Sequence, residues 1–120
     1  MSQINDNPDE IAAVRGLEVV HPMEDEVFVD LDSEAAKTIF QFRFGRLKDV
    51  WLDSTVLFTD SKTPGHWHAY VKIPQLKPIG IMERTAIQAV LNSDPMREIL
   101  AIQRQRQDGK RKENPSLFFE

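Results

Sequence analysis

Two segments of this chain read as strands with one covered face. In Val27-Phe28-Val29-Asp30-Leu31-Asp32 the content is β-branched and aromatic, and Asp30 and Asp32 fall two apart with Val29 and Leu31 out of phase with them. In His66-Trp67-His68-Ala69-Tyr70-Val71-Lys72-Ile73 the set His66, His68, Tyr70 alternates with Trp67, Ala69, Val71. Strand side chains change face at every residue, so helices can cover only the apolar set. The sorting predicts a packed face of Val29, Leu31, Trp67, Val71, Leu117 and Phe119. It predicts an open face carrying Asp30, Asp32, His66, His68 and Glu120.

The rest of the chain supplies the covering layer. Ser33 is a fitting N-cap for a helix over Glu34–Phe44, with Gly45 near its end and a buried stripe of Ala35, Ile39 and Phe42, joined by Ala36 and Phe40. Val50–Thr59 reads as extended, with a break at Asp53-Ser54, and Ser61-Lys62-Thr63-Pro64-Gly65 is a turn by its Pro-Gly pair. Pro74, Pro78 and Gly80 enforce a loop before a helix over Met82–Leu91. A second helix starts at Asp94-Pro95 and runs to about Gln107, capped by Ser93 or Asp94. Asp108-Gly109 with Lys110-Arg111-Lys112 is an exposed turn, and Leu117-Phe118-Phe119 is a last strand. Ahead of this lies a polar segment, residues 1–25, with a short helix over Asp9–Arg15 stopped by Gly16 and an extended Leu17–Val20. Residues 26–120 then form one domain of order β-α-β-β-α(α)-β. The expected class is α+β: an RRM-like, ferredoxin-like split βαβ with one mostly antiparallel sheet, helices on one face and a site on the other.

Composition removes several classes of function. With 120 residues there is room for one core only. The chain has no cysteine, so it holds no disulfide, thiolate metal site or cysteine nucleophile of its own. No apolar run approaches the roughly 18 residues of a membrane helix, and the polar N-terminus does not read as a signal peptide, so a cytoplasmic protein without a membrane partner is expected. The net charge of −4 conceals an asymmetry: residues 1–60 hold thirteen acids and five bases, residues 61–120 six acids and ten bases. An acidic chain is not an indiscriminate nucleic-acid coat, but a basic strip beside an acidic centre remains open. No phosphate-binding glycine loop, dinucleotide fingerprint or nucleophile elbow is present.

Two aspartates on one strand face repel each other unless solvated or bridged. Hard divalent ions, Mg2+ or Mn2+, favour such clustered carboxylate oxygens, above all when substrate phosphates complete the shell. The alternative is that strand-end carboxylates cap the following helix. Arg97 and Arg104, seven apart, share a helix face and with Lys110, Arg111 and Lys112 could form a phosphate stripe. The alternative there is a solvated helix end whose cations complement the helix dipole. Arg84 would reach a phosphate if its end of the preceding helix faces the site.

At these residues the chain resembles the archaeo-eukaryotic primase superfamily, including the primase-polymerases of phages and plasmids. That superfamily carries an apolar strand with Asp-x-Asp, a Ser/Gly-rich turn leading into a strand with a histidine, and an acid after apolar residues. The matching stretches are Val27–Asp32, Ser61–Val71 and Leu117–Glu120. The resemblance implies an RRM-like catalytic half in which Asp30, Asp32 and Glu120 hold Mg2+ or Mn2+. His68 would contact the phosphates of the incoming nucleotide, with His66, Ser61 and Lys62 beside it. It implies nucleotides, single-stranded DNA and other replication proteins as partners, in the cytoplasm of a host cell if a phage or plasmid encodes the chain. His66-Trp67-His68 also has the form of the rolling-circle and relaxase nucleases. Those enzymes need a tyrosine nucleophile on a later helix, whereas Tyr70, the only tyrosine, sits two residues past the pair on the same strand. The competing class is a catalytically inactive RRM-like module binding nucleic acid or a replication partner through Tyr70, Phe28 and His66. Small size favours a homodimer, with no heptad or obvious edge strand marking the contact.

Overall fold

The computed structural model describes residues 19–61, 63–107 and 118–119. Their elements are β1 (Val19–Val20), β2 (Glu26–Leu31), α1 (Glu34–Val50), β3 (Thr55–Asp60), β4 (Trp67–Lys72), a 3-10 turn (Pro74–Leu76), α2 (Ile81–Val90), α3 (Pro95–Gln107) and β5 (Phe118–Phe119). β2, β4 and β3 form an antiparallel sheet in that order, with β4 central. β2 and β3 therefore run parallel on either side of β4, joined by the crossover helix α1. This is the split βαβ arrangement of an α+β, ferredoxin-like fold. The expected N-terminal helix, Lys62, the turn at 108–112, Leu117 and Glu120 lie outside the described residues. No helix among those described is long and apolar enough to cross a membrane.

Ser33 starts α1 as its residue type dictates. Its backbone is extended and its Oγ accepts from the Ala36 amide at 3.0 Å. The helix then runs through Gly45 to Val50, six residues past its expected end. An interior glycine costs about 1 kcal/mol relative to alanine, but the turns beyond it bury Leu47 and bring Trp51 against the core. Burial wins over propensity. The extra turns also set the helix phase. Phe40 and Leu47 are buried, with Ala36, Phe44 and Trp51 beside them, while Ala35 faces out and Ile39 and Phe42 are 44% and 70% exposed. Of the expected stripe, Ala36 and Phe40 face the core, while Ala35, Ile39 and Phe42 lie one residue out of phase with it. What had read as extended from Val50 is the helix end, a turn closed by the Ser54 amide on the Trp51 carbonyl, and then β3.

Val27, Val29 and Leu31 of β2 meet Ala69 and Val71 of β4 under α1, with Ile73, Ile79 and Leu91 completing the core. Trp67 and Phe58 close its outer end, and the Lys37 ammonium lies 4.8 Å and 5.0 Å from their ring centres. Phe40 stacks on Phe44 and meets Phe58 edge to face.

The expected fourth strand does not join this sheet. β5 pairs with β1, Val19 opposite Phe119 and Val20 opposite Phe118. The outer edge of β2 is capped by α2, α3 and the turn between them. Gln88 Oε1 accepts from the Phe28 amide at 3.0 Å and Arg97 Nη1 donates to the Phe28 carbonyl at 2.9 Å. Ser93 Oγ accepts from the Asp30 amide at 3.0 Å, and the Asp94 amide donates to the Asp30 carbonyl at 2.8 Å. Arg84 Nε donates to the Glu26 carbonyl at 2.8 Å. These contacts satisfy what a neighbouring strand would otherwise have paired.

Candidate functional site

On the sheet face away from α1, the register sets side chains in rows. Glu26, Lys72 and Thr55 form one; Phe28, Tyr70 and Leu57 the next; Asp30, His68 and Thr59 the last. The backbone groups of Phe28 and Asp30 point outward to the helices, so their pairs with Tyr70 and His68 are the non-hydrogen-bonded kind, which bring side chains closest. Phe28 accordingly meets Tyr70 edge to face with ring centres 4.9 Å apart. Asp30 Oδ1 lies 3.8 Å from His68 Nε2. The Asp-x-Asp segment and the histidine segment thus meet at one end of the sheet.

Asp30 sits in a field of opposing charges. Burial pushes its carboxyl above the ordinary aspartate value; the Arg97 guanidinium and then His68 pull it down, Asp94 pushes up again, and His66 pulls weakly down. Burial prevails, so this carboxylate carries its charge at a cost. His68 is buried at 8% exposure and Thr59, across from it, has a buried Oγ1 with no hydrogen-bond partner among the described residues. His66 is half-buried just before β4, in the hairpin closed by Ser61 N to His66 O and His66 N to Thr63 O, both 3.1 Å. Gly65 holds φ 78° there, a left-handed conformation that glycine adopts without strain. Half-buried Ser61 accepts from the Thr63 amide. Asp32 is exposed, one residue beyond β2. It does not cap α1, because Ser33 makes that bond.

The other expected site residues scatter. Arg84 is buried at the opposite end of β2, donating to the carbonyls of Met23 and Glu26. Glu26 and Asp30 are four residues, about 13 Å, apart along the strand, so Arg84 is an internal brace and does not reach Asp30. Burial lowers its pKa, against the pull of Glu26 upward. Arg97 is half-buried, bonded to Phe28 O, Ser93 Oγ and Glu98, while Arg104 and Arg106 are exposed. Arg97 and Arg104 therefore do not make one solvent-facing stripe. Lys62, Lys110, Arg111, Lys112 and Glu120 lie outside the described residues. Among those described, no group of three histidine, aspartate or glutamate side chains is placed to hold a metal ion.

Exposure on this face rises from β2 to β3. Phe28 is fully buried, Tyr70 half-buried and Leu57 64% exposed, so the face is open toward β3 only. A shallow pocket of about 420 Å3 lies there, lined by Val20, Thr55, Leu57, Thr59 and Tyr70, with Glu26 and Lys72 adding charge. Sequence reading missed Thr59, Ser93 and Asp94 as neighbours of the site. Period two along β3 would have found Thr59; nothing local marks the other two. Comparison with family models, curated proteins and solved structures finds no match to this chain.

Proposed function

We propose that this chain is a primase-polymerase-like module of nucleic-acid replication, acting on nucleotides and single-stranded DNA with Mg2+ or Mn2+. The observation that carries this reading is the pairing of Asp30 with His68, 38 residues apart in sequence, on adjacent strands. A desolvated carboxylate that already draws on imidazoles and a guanidinium for its charge is an oxygen donor that gains from a divalent cation. Asp30 and Asp32 are the proposed ligands, joined by Glu120 as the resemblance implies. A bound divalent ion would lower the charge on a triphosphate and activate a 3′ hydroxyl. His68 donates to a nucleotide phosphate, and the Ser61–His66 hairpin borders the same end of the sheet. Arg97 holds β2 and contributes positive charge beside Asp30.

The test is primer synthesis on a single-stranded DNA template with Mn2+ and nucleotides. Extension by the wild type that is lost in Asp30→Asn and in His68→Ala supports the proposal. No extension, or extension that survives Asp30→Asn, removes it.

A second reading is a non-catalytic RRM-like binder of single-stranded nucleic acid or a replication partner. It is favoured by Tyr70 at the centre of the sheet beside the pocket, where a base could stack. Such a binder tolerates loss of Asp30 and needs no divalent ion.

A further inference from the structure

The two edges of the three-stranded sheet are treated unlike each other. β2 has its outward backbone groups taken up by Arg84, Gln88, Ser93, Asp94 and Arg97. At β3 the outward groups follow from the register. Val27, Val29 and Leu31 turn their backbone toward β4, so Thr55, Leu57 and Thr59 also turn toward β4 from its other side, and Val56, Phe58 and Asp60 turn away. The Ser61 amide on the His66 carbonyl continues that phase. No described residue bonds to the outward groups of Val56 or Phe58. Within β3 itself there is no proline, no lysine and no bulge, and its one charge is at its last residue.

The sequence of this edge is self-complementary. Thr55-Val56-Leu57-Phe58-Thr59 reads nearly the same in both directions about Leu57. We propose that a second copy of the chain pairs antiparallel along β3, with the two-fold axis at Leu57, joining two three-stranded sheets into one of six strands. In that register Val56 opposes Phe58 of the second copy, and both are residues whose backbone groups point outward, so the hydrogen bonds form without any slip. Thr55 opposes Thr59, and Leu57 opposes Leu57 in a non-hydrogen-bonded pair, where side chains are closest. Each residue meets a counterpart on the same face: 56 and 58 continue the covered face, 55, 57 and 59 the other. The pairing covers Leu57, which is 64% exposed and borders the 420 Å3 pocket. Any two-fold axis on an edge residue keeps hydrogen-bond phase and face; the near-palindrome of residue types, centred on exposed Leu57, is what places the axis there. This inference does not rest on the activity proposed above.

The chain has no cysteine, so single cysteines report the register directly. Leu57→Cys places two thiols across the axis within disulfide reach. Thr55→Cys sets them four residues out of step, about 13 Å along the strand and beyond that reach. The expected result is a wild type that dimerises between micromolar and millimolar concentration in sedimentation velocity. Leu57→Cys should cross-link under mild oxidation and Thr55→Cys should not. Leu57→Lys, at an exposed position that leaves the monomer folded, should weaken association about tenfold. A wild type monomeric throughout overturns the proposal, including one that takes up an extended peptide along β3. So does equal cross-linking of the two cysteine variants, or a dimer that Leu57→Lys leaves intact.

Discussion

Replacing Gln88 by methionine tests whether helix side chains stand in for the missing strand beside β2. Gln88 is fully buried; its Oε1 accepts from the Phe28 amide and its Nε2 donates to Glu98 Oε1 at 2.7 Å. Methionine fills nearly the same volume, so little cavity forms and the change isolates polar satisfaction. It strips a partner from the Phe28 amide and from the Glu98 carboxylate, which is 3% exposed. Leaving one buried polar group unsatisfied costs about 1–3 kcal/mol, the range for the Phe28 amide, while Glu98 keeps its bond from Arg97 and loses about 1 kcal/mol. The two together come to about 2–4 kcal/mol, a large share of the roughly 5–15 kcal/mol that holds a domain folded. For a transition of this size each kcal/mol moves the midpoint by about 4–8 °C, so the melting temperature should fall by at least about 8 °C. Urea unfolding followed by circular dichroism should show a lower midpoint at unchanged slope. A loss below about 1 kcal/mol would mean that the β2 edge is not held by these bonds, and the account of why β5 pairs elsewhere would fail with it.

Three further outcomes follow from the same structure. Asp30 has a raised carboxyl pKa in the fold, so its contribution favours the folded state below the unfolded aspartate value near 4 and is lost as pH rises through the folded value. Asp30→Asn should therefore melt higher than wild type at neutral pH, with the gain vanishing in acid; a destabilised Asp30→Asn at pH 7 contradicts this. Phe40→Ala removes a fully buried ring that touches Phe44 and Phe58, and should cost about 3–5 kcal/mol in denaturant unfolding. On the proposed nucleic-acid-binding reading, Tyr70→Ala should weaken single-stranded DNA binding by about 1–3 kcal/mol in fluorescence anisotropy, whereas the exposed Leu52→Ala should leave it unchanged.

The strands were legible because alternation is local: a residue's face is set by its neighbours two positions away. β2 and β4 appeared within a residue of their ends, and α3 over its whole length. The phase of α1 was not, since Ala35-Ile39-Phe42 and Ala36-Phe40-Phe44 are equally apolar until Leu47 and Trp51 are admitted to the helix. Gly45 concealed that continuation. The meeting of Asp30 with His68 was foreseeable from period two on two strands once they were taken as neighbours. The uses of Arg84, Gln88 and Arg97 were not, because their partners are backbone groups 58, 60 and 69 residues away. Side chains that bond to backbone carry no signature of residue type at the far end, so charges expected for phosphate turned out to brace a strand.

The proposed function stands or falls on a divalent ion at the Asp30 end of the sheet. Its most direct test is an amide NMR spectrum with substoichiometric Mn2+, whose unpaired electrons broaden only the nearby signals. Broadening centred on Asp30–Ser33, Thr59–Ser61, His66–Ala69 and Ser93–Asp94, and abolished in Asp30→Asn, is the predicted result. Broadening centred on Glu24–Glu26, uniform loss across the spectrum, or a pattern unchanged by Asp30→Asn would contradict it.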